Sequence, residues 1–144
     1  MILVMCIGNE LNGDDGVGPY IAKKFPRSKG FKVLNCETAP ESFVHFARGA
    51  KKVVIVDAVD MGLDAGEIRR VPADRLGGIH FSSHALPLPL LISYMERFVD
   101  GKITLIGIQP KRLSGEMSRE VKLAGEKVID AILNNKIEDI EVLK

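Results

Sequence analysis

Two acidic residues and one histidine lie at the ends of apolar segments of the sequence, where short loops are expected. Asp15 lies in a glycine-rich loop after the first apolar run, Asp57 ends a later one, and His84 stands just before a predicted helix. Ligands of open α/β sheets bind beyond the carboxyl ends of the strands, so we expect these three residues to meet at one crevice. Two carboxylates and one imidazole suit a divalent ion such as Ni, Zn, Mn or Co.

The first loop also resembles a phosphate-binding loop, but its residues oppose that function. Gly8 and Gly13 have the required spacing, whereas Asp14 and Asp15 stand where the motif has Lys and Ser or Thr. Because two carboxylates would repel phosphate, a nucleotide-binding α/β domain is the disfavoured hypothesis. Alternatively, Asp14 or Asp15 is simply a helix cap. Capping accounts well for one acid but poorly for two adjacent acids in a glycine-rich loop.

The other candidates also have simpler alternatives. Asp57 either faces the crevice or accepts backbone N–H groups in a turn, and Asp60 is expected to be a turn residue of that kind. The predicted helix N-terminus beside His84 favours a neutral imidazole, which is the form that binds metals. His45 and His80 are not at expected strand ends, so we take both as non-catalytic.

The elements that must position these residues alternate in the order β-α-β-α-β-β-α-β-α. This order predicts an α/β three-layer sandwich, with a five-stranded, mostly parallel twisted sheet and helices on both faces. The strand at 67–71 has no helix before it, so we expect it to be antiparallel. The other predicted strands cover residues 1–7, 31–36, 52–57 and 102–108. The first predicted helix covers residues 17–25, and the others cover 40–48, 87–98 and 117–132. The tail at 136–144 fits a short strand, a packed arm or a frayed end.

Composition limits the class of protein. The chain has 144 residues, 46% hydrophobic and 27% charged, with a net charge of +1. These values predict a single globular domain over 1–144 and argue against a strongly basic nucleic-acid binder. No apolar stretch approaches the ~20 residues that span a membrane, and no leader is recognisable, so we expect a cytoplasmic protein. Cys6 and Cys36 cannot make a disulfide framework and are expected to be reduced.

The motifs resemble those of the hydrogenase maturation proteases over Met1 to about Asn134. The resemblance rests on Gly8-Asn9, on residues 14–18 (DDGVG), on Asp57-Ala58 and on residues 82–84 (SSH). Residues 38–41 (TAPE) resemble the branch that serves formate-hydrogenlyase-type hydrogenases.

This resemblance implies an endopeptidase, often classed as aspartic-type, that removes a C-terminal extension from a nickel-loaded [NiFe] hydrogenase large-subunit precursor. By position, Asp15, Asp57 and His84 correspond to the family's nickel-interacting residues, and we expect the same three to be catalytic. Nickel is then recognised in the substrate's own metal centre, and Zn or Cd could take its place in crystals. The expected enzyme is a monomer that binds neither nucleic acid nor membrane.

Four further residues are predicted to bind or position the substrate. Glu41 and Gln109 would line the groove for the extension, and Asn9 and Asp14 would orient the first loop. Each could equally be a turn or cap residue.

The sequence is compatible with two catalytic mechanisms and with one non-enzymatic function. The metal could polarise the carbonyl or activate water while Asp15 or Asp57 acts as general base. Alternatively, nickel only docks the substrate and the two acids act directly on water, as in an aspartic dyad. The alternative to a protease is a nickel-binding docking protein or chaperone with the same ligands.

Overall fold

The computed structural model of this protein describes residues 1–78, 80–81 and 87–144. Within these residues the strands are β1 (Ile2–Ile7), β2 (Phe31–Glu37), β3 (Lys52–Asp60), β4 (Ile68–Arg70), β5 (His80–Phe81) and β6 (Lys102–Ile108). The α-helices are α1 (Val17–Lys24), α2 (Leu88–Met95) and α3 (Arg119–Leu133). Short 3₁₀ helices cover Gly13–Gly16, Pro40–Ala47, Ala73–Gly78 and Ile137–Asp139.

Five strands form a sheet in the order β2-β1-β3-β6-β4. The first four are parallel, and β4 runs antiparallel to β6, as its lack of a preceding helix predicts. The apolar runs of β1, β3 and β6 are almost wholly buried because helices cover both faces of the sheet. The predicted fold class is therefore confirmed.

Alternation along β3 divides the core into two layers. Val53 and Ile55 face the side covered by α2 and the 3₁₀ helix Pro40–Ala47. Val54 and Val56 face the side covered by α1 and α3. Because successive side chains of a strand point to opposite faces, Asp57 lies on the α2 side. The sheet thus aims this acid towards the helix that follows His84 in sequence.

Two predicted elements differ most from the structure. The strand predicted to end at Asp57 continues to Asp60, because Ala58 still pairs with β6 and residues 59–60 pair antiparallel with the unpredicted strand β5. The predicted helix at 40–48 is a 3₁₀ helix over Pro40–Ala47. Of the three alternatives predicted for the tail, the structure has the packed arm, in which Leu143 is buried and Val142 forms a bridge with Arg70.

Gly18 lets α1 pack directly against β1. A Cβ at this position would overlap the backbone carbonyl of Ile7, which belongs to the sheet and cannot give way. Gly18→Ala is therefore expected to lower the free energy of unfolding by about 2 kcal/mol, measured by urea denaturation. Gly125→Ala in α3 is the control, since its Cβ would meet only side-chain atoms at 3.3–3.4 Å. Equal losses for the two variants would contradict this account.

Both cysteines are buried in the core, as expected of reduced structural thiols. Burial raises the pKa of Cys36 to about 12 and raises the pKa of Cys6 well above its usual range. Because the thiolate is the reactive form, neither should react with a thiol reagent at pH 8 while the protein is folded. Two thiols per chain should react after unfolding in guanidinium. Rapid labelling of the native protein would contradict this prediction.

No helix among the described residues is both long enough and apolar enough to span a membrane.

Candidate active site

Asp15 and Asp57 are both fully buried at the carboxyl edge of the parallel strands. Asp57 pairs with Gly107 of β6, and it is the first β3 residue beyond the pairing with β1, which reaches Val56. The 3₁₀ turn that contains Asp15 packs against β3. The structure therefore places both acids that the sequence singled out at this edge, in elements that contact each other.

The backbone of the first loop holds the Asp15 carboxylate. The Asn9 N–H donates to Asp15 Oδ2 at 2.9 Å, and Asn9 Oδ1 accepts the Leu11 N–H at 2.9 Å. Gly8, with φ of 149°, passes so close that a Cβ there would overlap the Asp15 carbonyl. The Asn9 backbone thus holds the Asp15 carboxylate, and the Asn9 side chain holds the turn that follows.

Asp14 clamps the first loop to the loop after β6. Its Oδ2 accepts from the backbone N–H groups of Lys111 at 2.7 Å and Arg112 at 3.1 Å. The Ser118 N–H donates to Oδ1 at 2.6 Å and the Ser118 hydroxyl to Oδ2 at 2.9 Å. Because this carboxylate is fully buried and engaged inside the protein, Asp14 orients the loop rather than touching substrate.

These contacts also set the charge state of Asp14. Burial by itself would raise the pKa of this carboxyl, but the hydrogen bonds from Ser118, Lys111 and Arg112 outweigh burial and lower the pKa below its usual value. Asp14 is therefore a fixed anion at neutral pH.

Gln109 holds the turn that follows β3. Its Oε1 accepts the N–H groups of Met61 at 2.6 Å and Leu63 at 3.2 Å, and its Nε2 donates to Asp60 Oδ1 at 3.2 Å. The side chain is almost fully buried, so its amide is used within the protein. Like Asp14, Gln109 uses its buried side chain to hold a backbone loop at the carboxyl edge of the sheet. Asp60 also accepts the Gly62 N–H at 3.2 Å, the turn role expected for it.

Besides a groove lined in part by Asp60, Gln109 and Lys111, two grooves open among the described residues at this edge of the sheet. One lies beside the Asp15 loop and is lined by Gly8, Asn9, Glu10, Leu11, Glu37 and Thr38. The other lies between the 3₁₀ helix Pro40–Ala47 and α2 and is lined by Glu41, Val44, Leu90, Leu91 and Tyr94. Glu41 is exposed in this groove. Two of the four predicted substrate-binding residues have a carboxylate, Glu41 and Asp14, and only that of Glu41 is open to solvent.

His84 lies outside the described residues, and its placement stays a prediction. Among the residues that are described, no group of three or more His, Cys, Asp or Glu side chains has the arrangement of a metal site. The two buried carboxylates supply oxygen ligands of a kind that divalent transition metals accept. Asp15 and Asp57 are two of the three predicted ligands, and the ligand set stays a prediction.

Sequence reasoning missed the partners that hold the site together. Ser118 directly precedes α3, and a serine before an apolar-periodic helix is a recognisable cap signal. Nothing in the local sequence indicates that its partner is Asp14, which lies 104 positions earlier. The contact of Gln109 with Met61 and Leu63 is equally non-local.

Comparison with known proteins agrees with this architecture. The HycI hydrogenase maturation protease family model matches residues 17–135, a range that includes Asp57 and His84. The hydrogenase 3 maturation protease of Escherichia coli K12 is 36% identical over 113 residues, which cover 75% of this chain and 72% of that protein.

Solved structures of hydrogenase maturation proteases have the same fold as this chain. The solution structure of the endopeptidase HycI from E. coli has a TM-score of 0.88 at 29% identity, covering 100% of this chain and 97% of that one. The crystal structure of the [NiFe] hydrogenase maturation protease HycI from Thermococcus kodakarensis has a TM-score of 0.80 at 33% identity, covering 94% and 91%. On this evidence the chain belongs to the hydrogenase maturation protease family and is a peptidase.

Proposed function

We propose that this peptidase removes the C-terminal extension of a nickel-loaded [NiFe] hydrogenase large-subunit precursor. The observation that carries the proposal is the pair of buried acids, Asp15 and Asp57, at the sheet edge of a chain in this family. The name of the T. kodakarensis structure, which specifies a [NiFe] hydrogenase, supports this substrate class.

The proposed site binds the nickel of the precursor through Asp15, Asp57 and His84. In this role nickel belongs to the substrate, and it brings the scissile bond to the acids. One carboxylate takes a proton from a water molecule as the water oxygen attacks the scissile carbonyl carbon. The proton then passes to the departing amide nitrogen, which leaves a new carboxyl end on the large subunit and a free amine on the released extension.

The test is a mass measurement on the purified precursor. Nickel-loaded precursor incubated with the protein should lose the mass of its C-terminal extension, and precursor prepared without nickel should stay intact. A stable complex with no loss of mass would overturn the proposal and favour the nickel-binding docking protein or chaperone.

We further propose that the enzyme acts as a monomer on one precursor molecule. Light scattering of the complex with uncleaved precursor should give the sum of the two masses.

Zn²⁺ and Cd²⁺ should compete for the same ligands, so each should inhibit cleavage, and replacing the ligands should abolish the binding of these ions. Unchanged binding of Zn²⁺ by Asp57→Asn would contradict this ligand set.

A further inference from the structure

Exposed leucines stand in three segments at the edge of the sheet where the buried acids Asp15 and Asp57 lie. Leu11 is 82% exposed in the loop after β1, Leu90 is 60% exposed in the first turn of α2, and Leu113 is 48% exposed in the loop after β6. Single exposed leucines are ordinary on protein surfaces. Three of them in segments at one edge of one sheet are typical of an interaction surface.

These leucines stand on both sides of the sheet. Leu11 and Leu113 belong to the loops that lead into α1 and α3, on one face. Leu90 belongs to α2, on the opposite face, where it lines the apolar groove with Val44 and Tyr94. A chain segment that contacts both sides must therefore cross the edge of the sheet where the two acids lie.

The side formed by Leu11 and Leu113 is held rigid. Asp14 ties the first loop to Lys111 and Arg112, and the Asp14 N–H donates to the Arg112 carbonyl at 2.8 Å. Gly13 also lies against the backbone of Ser114 so closely that a Cβ would clash with it. A surface that is fixed before binding loses less conformational entropy when a partner docks.

We propose that Leu11, Leu90 and Leu113 form an apolar rim that docks apolar side chains of the hydrogenase precursor on both sides of the bond to be cut. This inference rests on the proposed function and adds the surface that recognises the polypeptide, apart from its metal. The rim lies at the same edge of the sheet as the two acids, where the scissile bond must lie for the proposed cleavage. For this reason the precursor is the occupant we assign, rather than a second copy of this chain.

The experiment measures binding and cleavage separately. Leu11→Ser, Leu90→Ser and Leu113→Ser are each expected to raise KM for nickel-loaded precursor about tenfold, with kcat within about twofold of the parent value. In the inactive Asp57→Asn background, the same changes should raise Kd for intact precursor by the same factor. Leu123→Ser is the matched control, because Leu123 is 47% exposed on the outer face of α3.

Each outcome decides between the two proposals. If the parent protein cleaves the precursor and the three rim variants keep its KM and Kd, the rim proposal is wrong and the proposed function stands. If the parent protein binds the precursor without cutting it, the proposed function fails, and the Kd values alone still test the rim. A parent protein that elutes as a dimer, and becomes a monomer on rim substitution, would also overturn the proposal.

Discussion

Asp57→Asn should lower the rate of precursor cleavage at least about a thousandfold. Asparagine keeps the shape of the side chain but cannot accept a proton from water and carries no charge to bind a metal ion. The fold should survive, because the exchange leaves the volume and shape of the buried side chain almost unchanged. Cleavage is measured by mass spectrometry over time, and folding by circular dichroism and thermal unfolding.

Asp15→Asn should behave in the same way, since both open mechanisms use both acids. Asp100→Asn is the control, because Asp100 is exposed just before β6, at the opposite edge of the sheet. If Asp57→Asn and Asp15→Asn both keep most of the activity, the site is wrongly assigned even though the family assignment stands.

Asp14→Asn should destabilise the protein by about 3 kcal/mol at pH 7. Asparagine keeps only one acceptor oxygen, so its NH2 group must face either the N–H groups of Lys111 and Arg112 or the N–H group of Ser118, and the donors that it faces lose their acceptor. Ser118→Ala removes only the hydroxyl contact and should cost about 1 kcal/mol. Urea unfolding of the two variants beside the parent measures both effects.

The same substitution has a defined pH dependence. The pKa of Asp14 is lower in the folded protein than in the unfolded chain, where it is about 4. Its stabilising contribution is therefore complete above pH 4 and is lost as pH falls through the folded pKa. The stability gap between parent and Asp14→Asn should be largest at neutral pH and should narrow by pH 3. A gap of equal size at both values would show that the Asp14 charge plays no part.

The sequence could predict those parts of the fold that repeat a local pattern. The apolar runs of β1, β3 and β6 and the helical spacing of α3 gave the sheet and its layers. The position of β4 after a strand without an intervening helix gave its direction. The strand β5 could not be predicted, because two residues carry no periodicity and it exists only through pairing with residues 59–60 of β3.

The same distinction applies to the site. Asp15 and Asp57 were identifiable because parallel strands bring their carboxyl ends to one edge. The partners of Asp14 and Gln109 were not, because they are backbone groups contributed by other loops. A polar residue in a loop near a site can touch substrate or hold a neighbour, and its type alone does not distinguish the two.

The Asp14 clamp has a consequence for the order in which the molecule is assembled. It joins residue 14 to residues 97 to 104 positions later in the chain. Contacts of such long sequence separation form late, because a large loop must close before they gain any stability. The first loop is therefore not fastened to the loop after β6 until the start of α3 has reached the sheet. A chain still emerging from the ribosome has both acids, but the loop that carries Asp15 is fixed at both ends only when the α-helix α3 docks.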